Sequence, residues 1–527
     1  MTTTTAPEDM KITYTSNTAD MGTFHKYFDE ALEKVKSEMG KDYPMVIGGK
    51  AFESELDPIV DVSPVDNDLT LGSFASADER HVDMAVKTAK GAFPAWRDTP
   101  WQERVRILRN AASLIRKRKF EFAAVMSLEV GKSRMESIGD AEESADLLDY
   151  YCLQMEDANG FIREMNKITP IETNFDVLRP FGVFACMAPF NFPLALSCGM
   201  TSAALVAGNT LVYKPALDAP WVGYKLAQLY HEAGVPVGAF NYLTGRGRTM
   251  GDLITGHEDV DGVVFTGSKQ VGMHIYHRLS GKWVKPCLME LGGKNAAIVM
   301  ESADLDAAAE GIIKSAWGLQ NQKCSACSRV YAHESIIAAL TEKILEKTAA
   351  IVKGDPTQRD VYYGPVINEQ AFKKWEEGVA LGRKDGEILT GGKRLSGGIF
   401  DKGFYVEPTV VNAPLKSKLF FEEFFTPILA IGSVKSLDEA IRESNKAEYG
   451  LTGGIFTAKK EEIEKFFNEI QTGVLYANKR SGATTGAWPG AQPFCGWKGS
   501  GSTGKGGCGP YYVAQFMREQ TRCVVEE

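Results

Sequence analysis

Short apolar strands alternate with helices over residues 183–279, and this alternation constrains the fold more than any other feature of the sequence. It predicts an α/β fold with a parallel sheet and crossover helices. Ligands on such sheets bind beyond the carboxyl ends of the strands. The predicted strands are 183–187, 210–214, 240–243 and 262–265, and the predicted helices are 194–207, 221–233, 247–255 and 268–279.

A second strand–helix series follows Glu290 and predicts a second domain. A Gly/Ser-rich tract, 496–509, then leads to a final strand, 513–523, and this context favours an ordered active-site loop over disorder. The second series comprises a strand around Ile298, helix 306–317, strand 329–332, helices 335–352, 436–444 and 461–470, and strand 474–477.

The region before residue 183 shows predicted helices and hairpins, and no motif there carries obvious chemistry. Residues 158–180 are read as an extended hairpin, for which the plain alternative is a surface flap. The other predicted elements are a loose tail over 1–22, an amphipathic helix over 23–39, a hairpin over 45–52, and helices over 78–96, 101–118, 120–130 and 134–157.

The composition narrows the class of protein. A net charge of −9 argues against a general nucleic-acid binder. Nine cysteines scattered over 527 residues do not form a disulfide framework, so reduced thiols in a cytoplasmic compartment are expected. The start of the chain resembles neither a secretory signal nor a mitochondrial presequence. The most apolar stretch, 190–213, is interrupted by Pro193, Gly199 and Gly208, which favours a buried helix and strand over a membrane span.

Two residues with complementary chemistry stand out, Glu290 in Glu-Leu-Gly-Gly-Lys and Cys324 in Gln-Lys-Cys-Ser. A thiolate is a strong nucleophile and a carboxylate is a usable general base. An enzyme that forms a thioester and then hydrolyses it needs both. Cys324 also begins a Cys-x-x-Cys with Cys327, which leaves a redox or metal pair as an alternative; no second cysteine or histidine pair supports a zinc site.

Polar residues follow several predicted strands. Gly267 and Ser268 end one strand and open a helix, where free amides suit a pyrophosphate; a plain glycine turn is the alternative. Lys214 ends another strand, either as a ribose or phosphate ligand or as an exposed lysine. Asn191 follows a third strand and offers an amide donor, or it caps a turn. Gly247 opens a further helix after a strand.

The Glu290–Lys294 and Gln322–Cys324 motifs resemble those of the aldehyde dehydrogenase superfamily. The resemblance implies a Rossmann-like cofactor domain, an α/β catalytic domain and a small β arm for subunit pairing. It places the cofactor domain at 45–157 and 181–289, the catalytic domain at 290–496, and the arm at 158–180 and 497–527, after an N-terminal extension over 1–44.

The resemblance also implies roles for individual residues. Cys324 would attack an aldehyde, with Asn191 and the Cys324 amide as the oxyanion hole, after the pKa of the thiol falls from about 8.5. Glu290 would activate water against the thioester, giving a free acid. NAD or NADP would be bound by Lys214, Gly247, Gly267 and Ser268. Glu423 would bind the nicotinamide ribose and Phe425 would pack beside the nicotinamide. The alternative for Glu423 and Phe425 is an acid at a helix start and an aromatic residue of the core.

Within the superfamily, the sequence is most similar to the 1-pyrroline-5-carboxylate (glutamate γ-semialdehyde) dehydrogenase branch, on Gln322-Lys323-Cys324-Ser325-Ala326 and Thr485-Gly486-Ala487. That implies that Ser325, Gly486 and Ala487 anchor a substrate α-carboxylate, while Phe192 and Phe494 flank its aliphatic part. The sequence departs from the branch in a longer segment, 479–484, and in Cys495 and Cys508. It departs from the wider superfamily pattern in Leu217, Thr426 and Asn321. The sequence does not decide between NAD and NADP, because position 217 is a leucine and not an acidic residue that would repel a 2′-phosphate.

The expected partners are therefore a small aldehyde and further copies of this chain, with no nucleic acid, membrane or metal. Another small or aromatic semialdehyde is the alternative substrate. A non-catalytic binding protein and a Cys-x-x-Cys redox or metal protein are the alternatives of another class.

Overall fold

A computed structural model of the chain describes residues 10–13, 20–281 and 283–526. The helices within these residues are α1 Met21–Lys36, α2 Glu79–Asp98, α3 Trp101–Val130, α4 Arg134–Asp157, α5 Ala195–Ala207, α6 Pro220–Ala233, α7 Gly247–Gly256, α8 Lys269–Leu279, α9 Leu305–Trp317, α10 Ile337–Ala349, α11 Glu369–Asp385, α12 Leu437–Asn445 and α13 Lys460–Glu469. Short 3₁₀ helices occupy Asn159–Phe161, Gly318–Asn321, Gly398–Asp401, Lys418–Phe420 and Val513–Phe516.

The strands are, in chain order, β1 Lys41–Tyr43, β2 Met45–Ile47, β3 Lys50–Phe52, β4 Ile59–Val62, β5 Thr70–Phe74, β6 Ile162–Met165, β7 Glu172–Pro180, β8 Val183–Met187, β9 Thr210–Lys214, β10 Phe240–Tyr242, β11 Gly262–Thr266, β12 Cys287–Glu290, β13 Asn295–Val299, β14 Cys327–His333, β15 Glu387–Thr390, β16 Thr409–Asn412, β17 Ile428–Val434, β18 Tyr449–Gly450, β19 Thr452–Phe456, β20 Val474–Ala477, β21 Trp497–Lys498 and β22 Met517–Val525.

The first large sheet has the order β12-β11-β8-β9-β10-β2-β3. Its first five strands are parallel and the hairpin β2–β3 closes one edge. Successive residues of β8 enter two different apolar clusters, Phe184 and Cys186 in one and Val183 and Ala185 in the other. Helices therefore cover both faces, as in other parallel sheets. The alternation predicted over 183–279 is confirmed.

The second large sheet has the order β15-β16-β17-β14-β13-β19-β20. All of its pairings are parallel except β15–β16. Along β13, Ala296 and Ile298 pack into one apolar cluster while Ala297 and Val299 pack into another, so this sheet too is buried on both faces. The predicted strand–helix series after Glu290 is confirmed.

A separate three-stranded antiparallel sheet, β22-β7-β6, holds the predicted extended hairpin against the last strand of the chain. Several apolar side chains of the hairpin are exposed, including Ile162, Met165 and Ile168. The final strand begins later than predicted. Residues 513–516 form a 3₁₀ turn in which Val513 and Phe516 are fully buried, and the strand starts at Met517.

One predicted pair of helices is a single helix. The expected break between residues 118 and 120 is absent, and α3 runs unbroken for 30 residues. No glycine or proline interrupts it there. Instead, Lys119 is buried in an ion pair with Glu142 of α4 at 2.5 Å, and Phe120 packs against Phe24 of α1.

The expected loose tail is only partly within the described residues, since 1–9 and 14–19 lie outside them. The described part is packed, because Met10 is 5% exposed and Ile12 is fully buried. No helix among the described residues has both the length and the apolar character needed to cross a membrane.

Candidate active site

A cavity of about 220 Å³ brings together the thiol and the carboxyl group singled out in the sequence. Glu290 comes from the end of β12 in the first sheet, and Cys324 comes from the turn before β14 in the second. The cavity is also lined by the five residues predicted to contact substrate, Phe192, Ser325, Gly486, Ala487 and Phe494.

The Gly/Ser-rich tract holds the backbone around Glu290, which confirms that it is ordered. The amide of Leu291 donates to the carbonyl of Ser500 at 2.8 Å, and the amide of Met289 donates to the Ser502 hydroxyl at 3.0 Å. The Glu290 carbonyl accepts from the amide of Gly267 at 3.2 Å, which joins the end of β12 to the turn after β11.

The Glu290 side chain is in a poor environment for negative charge. Burial raises its pKa well above the ordinary value, and one hydrogen bond from the Gly496 amide opposes this only in part. Its Oε2 atom has no hydrogen-bond partner among the residues that the structure describes. A carboxyl group with a raised pKa, and with one oxygen that has no partner among the described residues, is suited to exchanging a proton with a bound water.

Cys324 sits on a turn that other residues force into shape. Residues 319–321 all have positive φ, between 47° and 62°, although none is glycine. Asn295, the first residue of β13, donates from Nδ2 to the carbonyls of Cys324 at 2.7 Å and Ala326 at 2.9 Å. Its Oδ1 accepts from the amide of Thr452 at 3.0 Å. One asparagine therefore ties the starts of three strands around the thiol.

The expectation that the surroundings lower the pKa of Cys324 is wrong. Burial first, and the carboxyl groups of Glu290 and Glu423 after it, raise the pKa of this thiol to about 12. The backbone amides of Ser325 and Cys324 act in the opposite direction and are outweighed. The side chain is nevertheless partly exposed to the cavity, so a substrate can reach it.

The second cysteine of the Cys-x-x-Cys motif has a different environment. Cys327 is fully buried and its thiol donates to the carbonyl of Arg329 at 3.6 Å. All nine cysteines are free thiols. Among the described residues, no group of three or more histidine, cysteine or acidic side chains is arranged to hold a metal ion.

Asn191 lies directly beneath the nucleophile turn. Its Nδ2 donates to the carbonyl of Gln322 at 2.9 Å, and its own carbonyl accepts from the buried amine of Lys132 at 2.8 Å. Lys132 is paired with Asp140 at 2.6 Å, and both side chains are completely buried. Because an amide carries two N–H groups, Asn191 keeps a second donor for an oxyanion.

Two strand ends of the first sheet carry a cation and amide donors. Lys214 ends β9, and burial lowers the pKa of its amine to about 8. Its Nζ donates to the carbonyl of Pro215 at 3.0 Å. Ser268 caps α8 by accepting from the amide of Val271 at 3.4 Å. A Cβ at Gly267 would collide with the ring of Phe265, so only glycine fits that turn.

A loop of the second sheet contacts the segment that follows β12 of the first sheet. Glu423 accepts from the amide of Gly293 at 2.8 Å, and a side chain at Gly292 would collide with its carboxylate. Burial raises the pKa of Glu423 to about 7. Phe425 has a φ of 57° and meets Phe190 edge-on, with ring centroids 6.1 Å apart.

These groups fit a nicotinamide dinucleotide. A helix start with a glycine turn suits its pyrophosphate, and Lys214 and Glu423 offer a donor and an acceptor for ribose hydroxyls. Gly247 is exposed at the start of α7, where a Cβ would meet nothing within 4 Å. The structure therefore gives no steric reason for a glycine at position 247.

Sequence reasoning missed most of the other residues that line the cavity. Several of them lie on α4, and others lie on α9, near the start of the chain and in the C-terminal loop; Lys323 and Glu136 form an ion pair at 2.7 Å. The continuous burial of α4 is not visible as a simple period in the sequence, so no local signal identifies them. The missed lining residues include Thr13, Met135, Glu136, Glu143, Leu147, Tyr151, Lys314, Lys323, Cys508 and Tyr512.

Comparisons with known proteins agree with this geometry. The profile of the aldehyde dehydrogenase family matches residues 52–522. A 1-pyrroline-5-carboxylate dehydrogenase of Geobacillus sp. (strain WCH70) is 38% identical over 502 residues, covering 94% of this chain and 95% of the relative. The crystal structure of 1-pyrroline-5-carboxylate dehydrogenase from Thermus with bound NAD superimposes with a TM-score of 0.92 at 34% identity, covering 97% of this chain and 98% of that one.

Proposed function

The chain belongs to the aldehyde dehydrogenase family, and from that premise we propose that it oxidises L-glutamate γ-semialdehyde to glutamate with a nicotinamide dinucleotide as oxidant. One observation carries the choice of substrate. The cavity that holds Cys324 and Glu290 is also lined by Ser325, Gly486 and Ala487, which offer a hydroxyl and amides for a carboxylate. The relatives of the same name, similar over nearly the whole chain, support it.

The chemistry begins at the sulfur atom. Cys324 loses its proton and its sulfur adds to the aldehyde carbon, so the carbonyl oxygen becomes an oxyanion. The free Nδ2 hydrogen of Asn191 and the Cys324 amide stabilise that charge. Asn295 and Lys132 contribute indirectly, because they fix the backbone of the nucleophile turn and of Asn191.

A dinucleotide held by Lys214, Gly267, Ser268, Glu423 and Phe425 would supply the hydride acceptor. Cys324 is then acylated as a thioester. Glu290 takes a proton from water, which attacks the thioester and releases the acid. Glu290 must be ionised to do this, and its raised pKa makes it a stronger base once it is.

A panel of aldehydes tests the substrate. Formation of NADH and NADPH at 340 nm is measured with glutamate semialdehyde, succinic semialdehyde and uncharged pentanal. We expect kcat/KM for glutamate semialdehyde to exceed that for pentanal by about a hundredfold, because pentanal leaves the carboxylate-binding donors unpaired. Equal kcat/KM values for the two aldehydes would refute glutamate semialdehyde as the preferred substrate and would indicate a general aldehyde dehydrogenase.

We further propose that the first sheet belongs to the cofactor domain (45–157 and 181–289) and the second to the catalytic domain (290–496). The chain forms homo-oligomers through the arm at 158–180 and 497–527, where exposed apolar residues such as Ile162 and Ile168 lie. Nine free thiols support a reducing, cytoplasmic compartment. Light scattering in solution tests whether the arm forms the contact between subunits, and Ile168→Glu should lose this association.

A further inference from the structure

The segment of residues 10–13, here called the N-terminal strap, is packed against the body of the protein. Ile12 is completely buried and Met10 nearly so, within the same apolar cluster as α3 and α4. The carbonyl of Met10 accepts from Lys119. Thr13, at the other end of the strap, lines the cavity that contains Cys324.

Asp146, on α4, receives hydrogen bonds from three separate parts of the chain. Its Oδ2 accepts from Lys11 Nζ in the strap at 2.8 Å and from Trp488 Nε1 at 2.8 Å, and its Oδ1 accepts from Arg116 Nη2 at 2.9 Å. Burial alone would raise the pKa of Asp146, but the hydrogen bonds, those from Lys11 and Trp488 foremost, bring it below the ordinary value. The carboxylate is therefore ionised and fully engaged at neutral pH.

Trp488 directly follows Gly486 and Ala487, two residues that line the cavity. We call residues 484–488 the anchor loop. At its first end, Thr484 donates to the carbonyl of Ser325 at 2.7 Å. In its middle, the carbonyl of Gly486 accepts from Lys479 at 3.0 Å, and Gly486 has a φ of 101°. At its last end, the Trp488 indole is held by Asp146. The loop is thus clamped beside the nucleophile and at α4.

We propose that Trp488 and Lys11 are positioning residues, which act through Asp146 to hold the anchor loop amides in place for the substrate carboxylate. Neither residue belongs to the reacting set, and Lys11 has a side chain that is 61% exposed. The N-terminal strap is in this way part of the substrate site, although it precedes both large sheets in sequence. The inference rests on the proposed function only for the identity of the carboxylate-bearing aldehyde.

The test separates binding of the carboxylate from chemistry. Trp488→Phe keeps a ring and removes the N–H donor, and Lys11→Met keeps the aliphatic stem and removes the charge. We expect KM for glutamate semialdehyde to rise about tenfold in Trp488→Phe and about threefold in Lys11→Met, with kcat within twofold of the parent. KM for pentanal should not change, and Lys11→Arg should restore the parent value.

Lys87→Met is the matched control, because Lys87 forms an exposed ion pair with Asp83 far along the sequence from the loop. Equal rises of KM for both aldehydes, or no rise for either, would overturn the proposal. If the parent enzyme oxidises pentanal but not glutamate semialdehyde, the proposed substrate fails instead. Amide hydrogen exchange of residues 484–490 then decides: faster exchange in Trp488→Phe and Lys11→Met than in Lys87→Met supports the clamp, and unchanged exchange refutes it.

Discussion

The two large sheets have the same number of strands and are both mainly parallel, yet they present opposite edges to the cavity. The first sheet contributes from the carboxyl ends of its strands, where Thr266 ends β11 and Glu290 ends β12. The second contributes from the amino ends, where Asn295 begins β13 and Cys324 precedes β14. The rule that ligands bind beyond the carboxyl ends therefore describes the first sheet only.

The difference has an electrostatic consequence. The carboxyl edge of a parallel sheet meets helix starts, whose free amides attract anions. The amino edge meets helix ends such as that of α9 at Trp317, just before the nucleophile turn. The backbone amides of Ser325 and Cys324 favour a thiolate there, but burial outweighs them and the pKa of the Cys324 thiol is raised. The carboxyl edge of the first sheet supplies amide donors for an anion, and the amino edge of the second sheet supplies the nucleophile.

The largest effect tests whether the amino edge of the second sheet carries the reaction. Cys324→Ala should lower kcat/KM for aldehyde oxidation by at least about a thousandfold, because no thioester can form. Cys327→Ala, three residues away and fully buried, should keep activity within a few fold. NADH formation at 340 nm measures both. Comparable losses of kcat/KM in Cys324→Ala and Cys327→Ala would mean that the Cys-x-x-Cys motif contributes through packing alone.

The next effect tests the carboxyl edge. Asn191→Ala should lower kcat by about 10²–10³, the usual result of removing one oxyanion donor. Lys132 would still hold the backbone of residue 191 through its carbonyl. Steady-state kinetics with a saturating aldehyde give kcat. A change in KM alone would assign Asn191 to substrate binding instead.

Asn295→Ala tests the tie between the three strand starts. The variant loses two donors and one acceptor around Cys324, so we expect kcat to fall about thirtyfold and the free energy of unfolding to fall by about 2–4 kcal/mol. Urea unfolding and kinetics measure the two effects. Asn174→Ala is the control: this half-buried asparagine of β7 makes one hydrogen bond, to the Asn166 carbonyl at 3.2 Å, and its loss should change both quantities far less.

Lys214→Met returns to the first sheet and should act on the cofactor alone. Loss of one buried donor should raise KM for NAD about tenfold and leave kcat and KM for the aldehyde nearly unchanged. Lys87→Met again serves as the control. A fall in kcat without a change in KM for NAD would place Lys214 in the chemistry.

The smallest effect concerns Cys324 at the amino edge of the second sheet and its electrostatic coupling to Glu290 at the carboxyl edge of the first. The pKa of Cys324 is raised, so its thiolate fraction, and its alkylation by iodoacetamide, should increase about tenfold per pH unit between pH 6 and 9. Glu290→Gln removes one of the charges that raise this pKa. Alkylation of Cys324 at a fixed pH should then be about two- to fivefold faster. Slower alkylation would mean that Glu290 assists ionisation of the thiol.

Much of the fold could be predicted because it rests on local patterns. The strand–helix alternation, the β2–β3 hairpin and helix α1 follow from periodicity and turn residues. The errors fall where tertiary contacts decide. The buried Lys119–Glu142 pair keeps α3 continuous, and the packing of Val513 and Phe516 makes a 3₁₀ turn out of an apolar segment that would otherwise suit a strand.

The site divides in the same way. Cys324, Glu290 and the Gly486–Ala487 pair belong to short motifs, so the amino-acid sequence alone is enough to single them out. Their common cavity follows from the facing edges of two sheets, and no local pattern contains that. The Asp146 hub links residues 11, 116, 146 and 488, and only folding reveals a contact between positions so far apart.

The left-handed turn at residues 319–321 has a consequence for the timing of activity. Three consecutive non-glycine residues in this conformation are unfavourable by about 1–2 kcal/mol each, so a free peptide would not adopt it. It has to be held by the rest of the fold: Asn321 donates from Nδ2 to the carbonyl of Cys327, the first residue of β14, at 2.9 Å. The adjoining Cys324 is held by Asn295, which in turn accepts from Thr452 of β19, a strand synthesised much later. The growing polypeptide therefore emerges without a competent nucleophile, and catalytic competence arrives only with the finished tertiary structure.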